Sequence, residues 1–166
     1  MMTAPTGGRS TAPATWLDAL RIYLGVIALA NLAWESVQLP LYTIWSIGTV
    51  REQAFAVLHC TMGDVVIAAC ALALALVVAG DAKWPIDRFL QVAVPTVAFG
   101  VVYTVFSEWL NVVVRATWAY SDLMPIVPIA GLKIGLSPLL QWMIVPAVAF
   151  AITRGVTTGQ TDGGPR

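Results

Sequence analysis

Residues 54–79 read AFAVLHCTMGDVVIAACALALALVVA, and Asp64 is the only acidic or basic side chain among them apart from His59. A helix of about 20 predominantly apolar residues spans the hydrocarbon core of a bilayer, so this stretch predicts a membrane-spanning helix. Three further runs of the same kind lie at residues 18–39, 89–113 and 136–153. The chain of 166 residues is 58% hydrophobic and 11% charged, whereas soluble domains are about 25% charged. These features predict an all-α integral membrane protein that forms a single four-helix bundle.

The two ends of the chain lack such runs. Residues 1–15 and 155–166 are small, polar and rich in Gly or Pro, a composition typical of disordered tails. The transmembrane domain is therefore predicted at residues 16–154. We expect its four spans to alternate in direction, up-down-up-down, with short connections between them.

The distribution of basic residues predicts the orientation of the bundle. Cytoplasmic segments of membrane proteins carry an excess of Lys and Arg. Six basic residues lie on the side of the two termini and the middle connection, and three lie in the other two connections. Both termini are therefore predicted in the cytoplasm, with the chain in a bacterial inner (plasma) membrane. The six are Arg9, Arg21, Lys83, Arg88, Arg154 and Arg166, and the three are Arg51, Arg115 and Lys133. No basic patch is dense enough to bind nucleic acid.

The connection between the third and fourth spans is unusually long and apolar. Residues 115–135 read RATWAYSDLMPIVPIAGLKIG. One interpretation is a re-entrant or interfacial cap over the bundle, because non-helical backbone at membrane depth must be buried in protein or face a wet cavity. The other is a simple anchor at the membrane surface. Ser137 and Pro138 are predicted as the N-cap and first residue of the fourth helix.

Polar residues interrupt each apolar run, and they gather toward one end of the predicted bundle. They lie late in the first and third spans and early in the second and fourth, which places them at one depth if the spans alternate. A charged side chain at the bilayer centre costs roughly 3 kcal/mol, so a shared layer of such residues predicts a site. The residues are Asn31, Glu35, Gln38, His59, Cys60, Asp64, Thr104, Ser107, Glu108, Asn111, Ser137 and Gln141.

Glu35 and Glu108 are the strongest candidates in this layer. Each is the middle member of a triplet spaced i, i+4, i+7, which puts the polar side chains on one face of a helix. Lipid does not tolerate such a face, so it must point into the bundle or into water. The alternative to a functional site is an interhelical clamp, in which amides and hydroxyls bond across the interface.

The chemistry of these side chains is consistent with either metal binding or proton transfer. Carboxylates combined with imidazole suit a divalent metal ion such as zinc, iron or manganese, and Glu35, His59, Asp64 and Glu108 are the predicted ligands. The Glu-x-x-His and HExxH signatures of known metal sites are absent. As a catalytic alternative, Glu35, Glu108 and His59 would act as general acid and base.

Further polar residues are predicted to line a pocket around this centre. Asp122 belongs to the long connection and would reach over the layer, although a turn at the surface explains it equally well. Gln141 is expected to face inward, where a helix–helix hydrogen bond is its ordinary role. The predicted pocket residues are Asn31, Gln38, Cys60, Asn111, Tyr120, Asp122 and Gln141.

Three functions are compatible with the sequence. The first is a small membrane protein whose outward-facing polar pocket binds a divalent metal or a polar, headgroup-like ligand, with catalysis left open. The second is an ion- or proton-linked transporter subunit. The third is a structural or assembly subunit in which the polar layer only specifies helix packing. The expected partners are the lipid bilayer and, as alternatives, a second copy of the chain or a larger membrane complex.

Overall fold

The computed structural model describes residues 16–81 and 84–161, and most of them are helical. The predicted tail at residues 1–15, the end of the other tail at residues 162–166, and Lys83 lie outside the described residues. The long helices are α1 (Trp16–Gln38), α3 (Val50–Ala79), α4 (Phe89–Glu108) and α5 (Leu136–Thr161). The shorter elements are a 3₁₀ turn (Leu39–Leu41), α2 (Ile44–Ile47), a π-helical segment (Trp109–Val114), β1 (Ile126–Ile129) and β2 (Leu132–Gly135).

Four helical segments are long and apolar enough to cross a membrane, which confirms that prediction. They are Trp16–Leu41, Val50–Ala79, Phe89–Val114 and Leu136–Thr157. Large apolar side chains such as Leu29, Val77 and Val94 are exposed on the outside of these helices. An apolar outer surface of this kind suits contact with lipid, so the protein is a multi-pass membrane protein.

The ends of the helices follow local side-chain chemistry. α3 begins at Val50, four residues before the predicted run, because Thr49 and Glu52 form a capping box. The Thr49 backbone N–H donates to Glu52 at 2.8 Å, and the Glu52 N–H donates to the Thr49 hydroxyl at 3.3 Å. At the other end of the chain, α5 begins at Leu136 and continues to Thr161, past the predicted boundary at residue 154. The hydroxyl of Ser137 donates to Gln38 instead of capping α5.

The four long helices form a ring in which each packs on two others. α1 packs on α3 and α5, and α4 packs on the same two helices. The apolar core fills the half of the bundle that contains Tyr23, Leu72 and Phe150, where the Tyr23 and Phe150 rings lie 4.7 Å apart. α4 and α5 approach very closely at Gly100, where an added Cβ would lie 2.1 Å from a ring carbon of Trp142.

The connection between α4 and α5 contains a β-hairpin where the sequence predicts an irregular apolar loop. β1 and β2 pair antiparallel, with Ile129 opposite Leu132. The two-residue turn has positive φ at both positions, 49° at Ala130 and 84° at Gly131, the pattern of a type I′ turn. Pairing between the strands satisfies the backbone polar groups that face each other, a solution that the sequence analysis did not consider for this segment.

The two connections on this end of the bundle are joined by their backbones. The Thr43 N–H donates to the Ala119 carbonyl at 3.0 Å, and the Ser121 N–H donates to the Leu41 carbonyl at 2.9 Å. Tyr42 and Tyr120 form an isolated antiparallel bridge, and their rings lie 5.7 Å apart. We call residues 39–49 and 115–121 together the roof, because they cover the polar end of the helices.

Candidate functional site

A cavity of about 1110 Å³ lies beneath the roof, bordered by all four long helices. The last turns of α1 and α4 and the first turns of α3 and α5 form its walls. Eight of the eleven predicted site residues line this cavity: Glu35, Gln38, His59, Cys60, Asp64, Glu108, Asn111 and Gln141. The polar layer therefore surrounds one space instead of being scattered over separate helix interfaces.

Gln141 is the centre of the hydrogen-bond network on the floor of this cavity. Its Nε2 lies 2.9 Å from Asn31 Oδ1, 2.9 Å from Glu35 Oε1 and 2.9 Å from Asp64 Oδ2. An amide nitrogen carries two protons, so only two of these three acceptors are served at one time. Gln141 Oε1 accepts from Gln38 Nε2 at 3.1 Å. One side chain on α5 thus joins α1 and α3.

The network continues from Gln38 toward the roof. Gln38 Nε2 also donates to Glu35 Oε1 at 2.8 Å, and Gln38 Oε1 accepts from the Ser137 hydroxyl at 2.7 Å. Ser137 Oγ in turn accepts from Trp34 Nε1 at 3.2 Å. These bonds hold the polar faces of α1 and α5 together and fix the orientation of the Glu35 carboxyl group.

The carboxyl groups of Glu35 and Asp64 are close neighbours, because each has an oxygen 2.9 Å from Gln141 Nε2. The Trp142 indole provides Asp64 with a further hydrogen-bond partner. Gln38, Gln141 and Trp142 therefore hold the pair in place while it still faces the cavity.

Glu108 occupies the opposite wall and is connected to the roof. It is buried, and the Tyr120 hydroxyl donates to its Oε2. The same phenol oxygen accepts from the Gly135 N–H at 2.9 Å, which ties Glu108 to the end of the hairpin. Burial, followed by the charge of Glu108, raises the pKa of Tyr120 above its ordinary value, so this phenol is a proton donor at neutral pH.

Tyr42 is a second phenol of the roof that lines the cavity. Burial is the main reason that its pKa is raised well above the ordinary value, and the charge of Glu108 adds to the effect. Tyr42 and Tyr120 are therefore neutral hydroxyl groups over a wide pH range. Tyr42 lines the cavity itself, whereas the Tyr120 hydroxyl donates to Glu108 in its wall.

His59 lies at the edge of the cavity. Its exposed ring stacks on Phe55 with the centroids 5.5 Å apart. Among the residues that the structure describes, no three His, Cys, Asp or Glu side chains form a group that could hold a metal ion. His59 and Asp64 are five residues apart on α3 and so point in different directions around the helix. The proposed ligand set of Glu35, His59, Asp64 and Glu108 remains a prediction.

Three predicted residues do not line the cavity. Asn31 is buried beneath it and supports Gln141. Tyr120 lies behind the wall of the cavity, where its hydroxyl donates to Glu108. Asp122 is exposed on the outer connection, as the alternative interpretation of a surface turn expected. Asn111 lines the cavity, but its amide donates back to the Ser107 carbonyl of α4 at 2.9 Å.

The sequence analysis did not predict several residues that line the cavity. They include Tyr42, Trp118 and Trp142, and also Arg51 and Arg115, which the sequence analysis used only as topology signals. A signal for the two arginines was present in the sequence, because Arg51 lies at the start of the second span and Arg115 follows the third. Side chains at those ends share the depth of the polar layer, and π-helical segments such as Trp109–Val114 are frequent at functional sites.

No protein-family model, curated protein or solved structure matches this chain. The chemistry of the cavity therefore has to be judged from its own geometry. Three carboxyl groups lie within it, phenols and indoles surround them, and Arg51, Arg115 and the helix-capping Glu52 lie at its border. Such an arrangement can hold a cationic group inside and an anionic group at the rim.

Proposed function

We propose that this multi-pass membrane protein binds a polar, headgroup-sized organic ligand in the cavity beneath the roof. Its helices would run up-down-up-down in a bacterial inner membrane, with both termini in the cytoplasm and the cavity facing outward. The single observation that carries this proposal is the cavity itself, with a volume of about 1110 Å³ and three inward carboxyl groups. Ligand pockets typically measure about 300–1,000 Å³, so the space suits a small molecule.

The composition of the cavity supports binding over simple helix packing. Hydroxyls and amides are sufficient to join helices, at roughly 0.6–2 kcal/mol for each hydrogen bond. Glu35, Asp64 and Glu108 are ionisable groups placed in a membrane-spanning region, where they are much more costly. A bound ligand that interacts with these carboxyl groups would offset the free-energy cost of placing them there.

The other half of the bundle supports binding over passage through the membrane. Ile27, Leu72 and Val145 belong to the buried apolar core that lies beyond the floor of the cavity. A route for ions would need polar groups or water along this half. A cavity that ends on an apolar core is suited to holding a ligand that enters and leaves on the same side.

Bound molecules in the purified protein provide the test of this proposal. The protein is purified in mild detergent, and molecules released on denaturation are identified by mass spectrometry. We expect one polar compound at near-stoichiometric amount, and we expect it to be lost in the Glu35→Gln, Glu108→Gln double variant. Asp122→Asn is the matched control, because this exposed acid lies outside the cavity. Equal recovery from wild type and the double variant, or recovery from neither, would refute the proposal.

A structural or assembly role is the second candidate, and the Gln141 network favours it. From α5, the Gln141 side chain contacts polar groups of both α1 and α3, as a residue that specifies packing would. In that case both glutamate variants would lose oligomeric or folded protein without any change in bound molecules. Elemental analysis of the same samples tests the divalent metal alternative, since a metal cofactor would appear at stoichiometric amount in wild type.

A further inference from the structure

Exposed side chains of α3 and α4 line the cavity, which indicates a lateral opening between these two helices. Phe55 on α3 and Tyr103 on α4 both line it, yet their side chains are 68% and 45% exposed. Gly63 also lines it, and a Cβ added there would meet no atom within 4 Å. α3 and α4 are membrane-spanning segments, so an opening between them faces lipid as well as water. A molecule can therefore enter this cavity while part of it stays in the bilayer.

An arginine lies on each side of this opening, at the end of the helix that borders it. Arg51 is in the first turn of α3, and Arg115 directly follows the π-helical segment that continues α4. Both side chains are exposed and both line the cavity. Within residues 16–81 and 84–161, neither arginine forms an ion pair. Guanidinium groups at the end of a membrane-spanning segment lie at the depth of lipid phosphates, which they bind well.

The interior of the cavity has the opposite charge preference. Glu35, Asp64 and Glu108 supply its carboxyl groups, and Trp118 lies beside Glu108. Carboxylates and aromatic faces together are the usual partners of an ammonium group. The interior therefore suits a cation, while the border, where Arg51 and Arg115 outnumber Glu52, suits an anion.

We propose that the ligand is a zwitterion of the phosphoethanolamine type, supplied by a membrane lipid that enters between α3 and α4. Its ammonium group lies among Glu35, Asp64 and Glu108, and its phosphate lies between Arg51 and Arg115. The acyl chains remain in the bilayer beside Phe55 and Tyr103. This inference rests on the proposed function and specifies the class of its ligand.

Charge distinguishes this ligand from the other common headgroups. A phosphatidylglycerol headgroup would bind at the arginines, but it would bring only hydroxyls to the three carboxyl groups. A soluble polyamine would bind the carboxyl groups and leave the arginines without a partner. The same zwitterion without acyl chains, soluble phosphoethanolamine, matches both charge sites but makes no use of the lateral opening.

Native mass spectrometry of the delipidated full chain provides the test. The protein is mixed with phosphatidylethanolamine, with phosphatidylglycerol of identical chains, or with soluble phosphoethanolamine, and the fraction that carries one ligand is measured. A charge-assisted hydrogen bond is worth a factor of about ten or more in affinity. We therefore expect phosphatidylethanolamine to bind about ten-fold or more tightly than phosphatidylglycerol, and soluble phosphoethanolamine to bind more weakly than the lipid.

Two glycine variants test the entry route. Gly63→Leu fills the lateral opening without altering a polar group, and it should abolish lipid binding. Gly25→Leu is the matched control, since Gly25 also lies within a membrane-spanning helix, has no atom within 4 Å of an added Cβ and does not line the cavity. The control should bind like wild type. Circular dichroism of both variants verifies that they fold. The Arg51→Gln, Arg115→Gln double variant tests the phosphate contact. It should lower the preference for phosphatidylethanolamine over soluble ethanolamine, which has no phosphate.

The outcomes separate this inference from the proposed function. Equal binding of the two lipids, or full binding by the folded Gly63→Leu variant, would overturn the inference. Stronger binding of soluble phosphoethanolamine than of the lipid would retain the zwitterion and overturn the lipid source. If a different polar compound accompanies the purified protein and no phosphoethanolamine compound binds, the proposed function stands and the inference fails.

Discussion

The Gln141→Leu substitution removes the centre of the hydrogen-bond network while keeping a side chain of similar size. Gln141 donates to two of its three acceptors at any time and accepts one bond from Gln38, so the variant loses three hydrogen bonds. Side-chain hydrogen bonds in membrane proteins average about 0.6 kcal/mol and reach about 1.7 kcal/mol. The free energy of unfolding should therefore fall by about 2 kcal/mol at the average value and by about 5 kcal/mol at the upper one.

Reversible unfolding in mixed detergent micelles, followed by circular dichroism, measures this change. The Met143→Leu variant is the control, because Met143 is exposed on the lipid-facing side of the same helix and forms no part of the network. A double-mutant cycle with Asn31→Leu isolates the contact between Gln141 and Asn31. If Gln141→Leu unfolds within 0.5 kcal/mol of wild type, roughly the noise of additivity measurements, the network does not hold α1, α3 and α5 together as argued.

Two further substitutions and one labelling reaction test separate parts of the structure. Gly100→Ala places a Cβ against the Trp142 ring and should cost about 1–3 kcal/mol of unfolding free energy in the same assay; unchanged stability would refute the close helix contact. Ala130→Asn creates the Asn-Gly pair that type I′ turns prefer and should slow hydrogen exchange of the hairpin amides about two-fold, whereas faster exchange would argue against the turn. A charged, membrane-impermeant thiol reagent added outside intact spheroplasts should modify Cys60 in the cavity and leave Cys70 unmodified; protection of Cys60 there, with labelling only in inverted vesicles, would reverse the proposed orientation.

The number of spans was predictable because it depends on local composition. A helix crosses the hydrocarbon core if its own residues are apolar over sufficient length, and no distant contact is needed to recognise that. The same locality explains why Glu35 and Glu108 were recognised as candidates, since their i, i+4, i+7 neighbours are on the same helix. The prediction that these glutamates share a site with Asp64 depended on the assumption that the spans alternate in direction.

The hairpin and the roof were not predictable in this way. Ile126–Ile129 and Leu132–Gly135 are too short and too apolar to be distinguished from a surface anchor by their pattern. The bridge between Tyr42 and Tyr120 joins segments nearly eighty residues apart, and nothing local to either segment specifies that pairing. For His59, the sequence suggested a central position in the site. In the structure its ring stacks on Phe55 at the edge of the cavity.

The sequence by itself determined that the chain spans a membrane four times and that ionisable side chains gather toward one end of those spans. Both properties follow from the cost of moving individual residues into hydrocarbon, which each residue carries independently of its neighbours. Only the tertiary structure decided that Gln141 joins Asn31, Glu35 and Asp64, that Tyr120 donates to Glu108, and that two arginines border the same cavity. Those features depend on rotation and separation of helices, which packing at distant positions such as Gly100 and Trp142 sets.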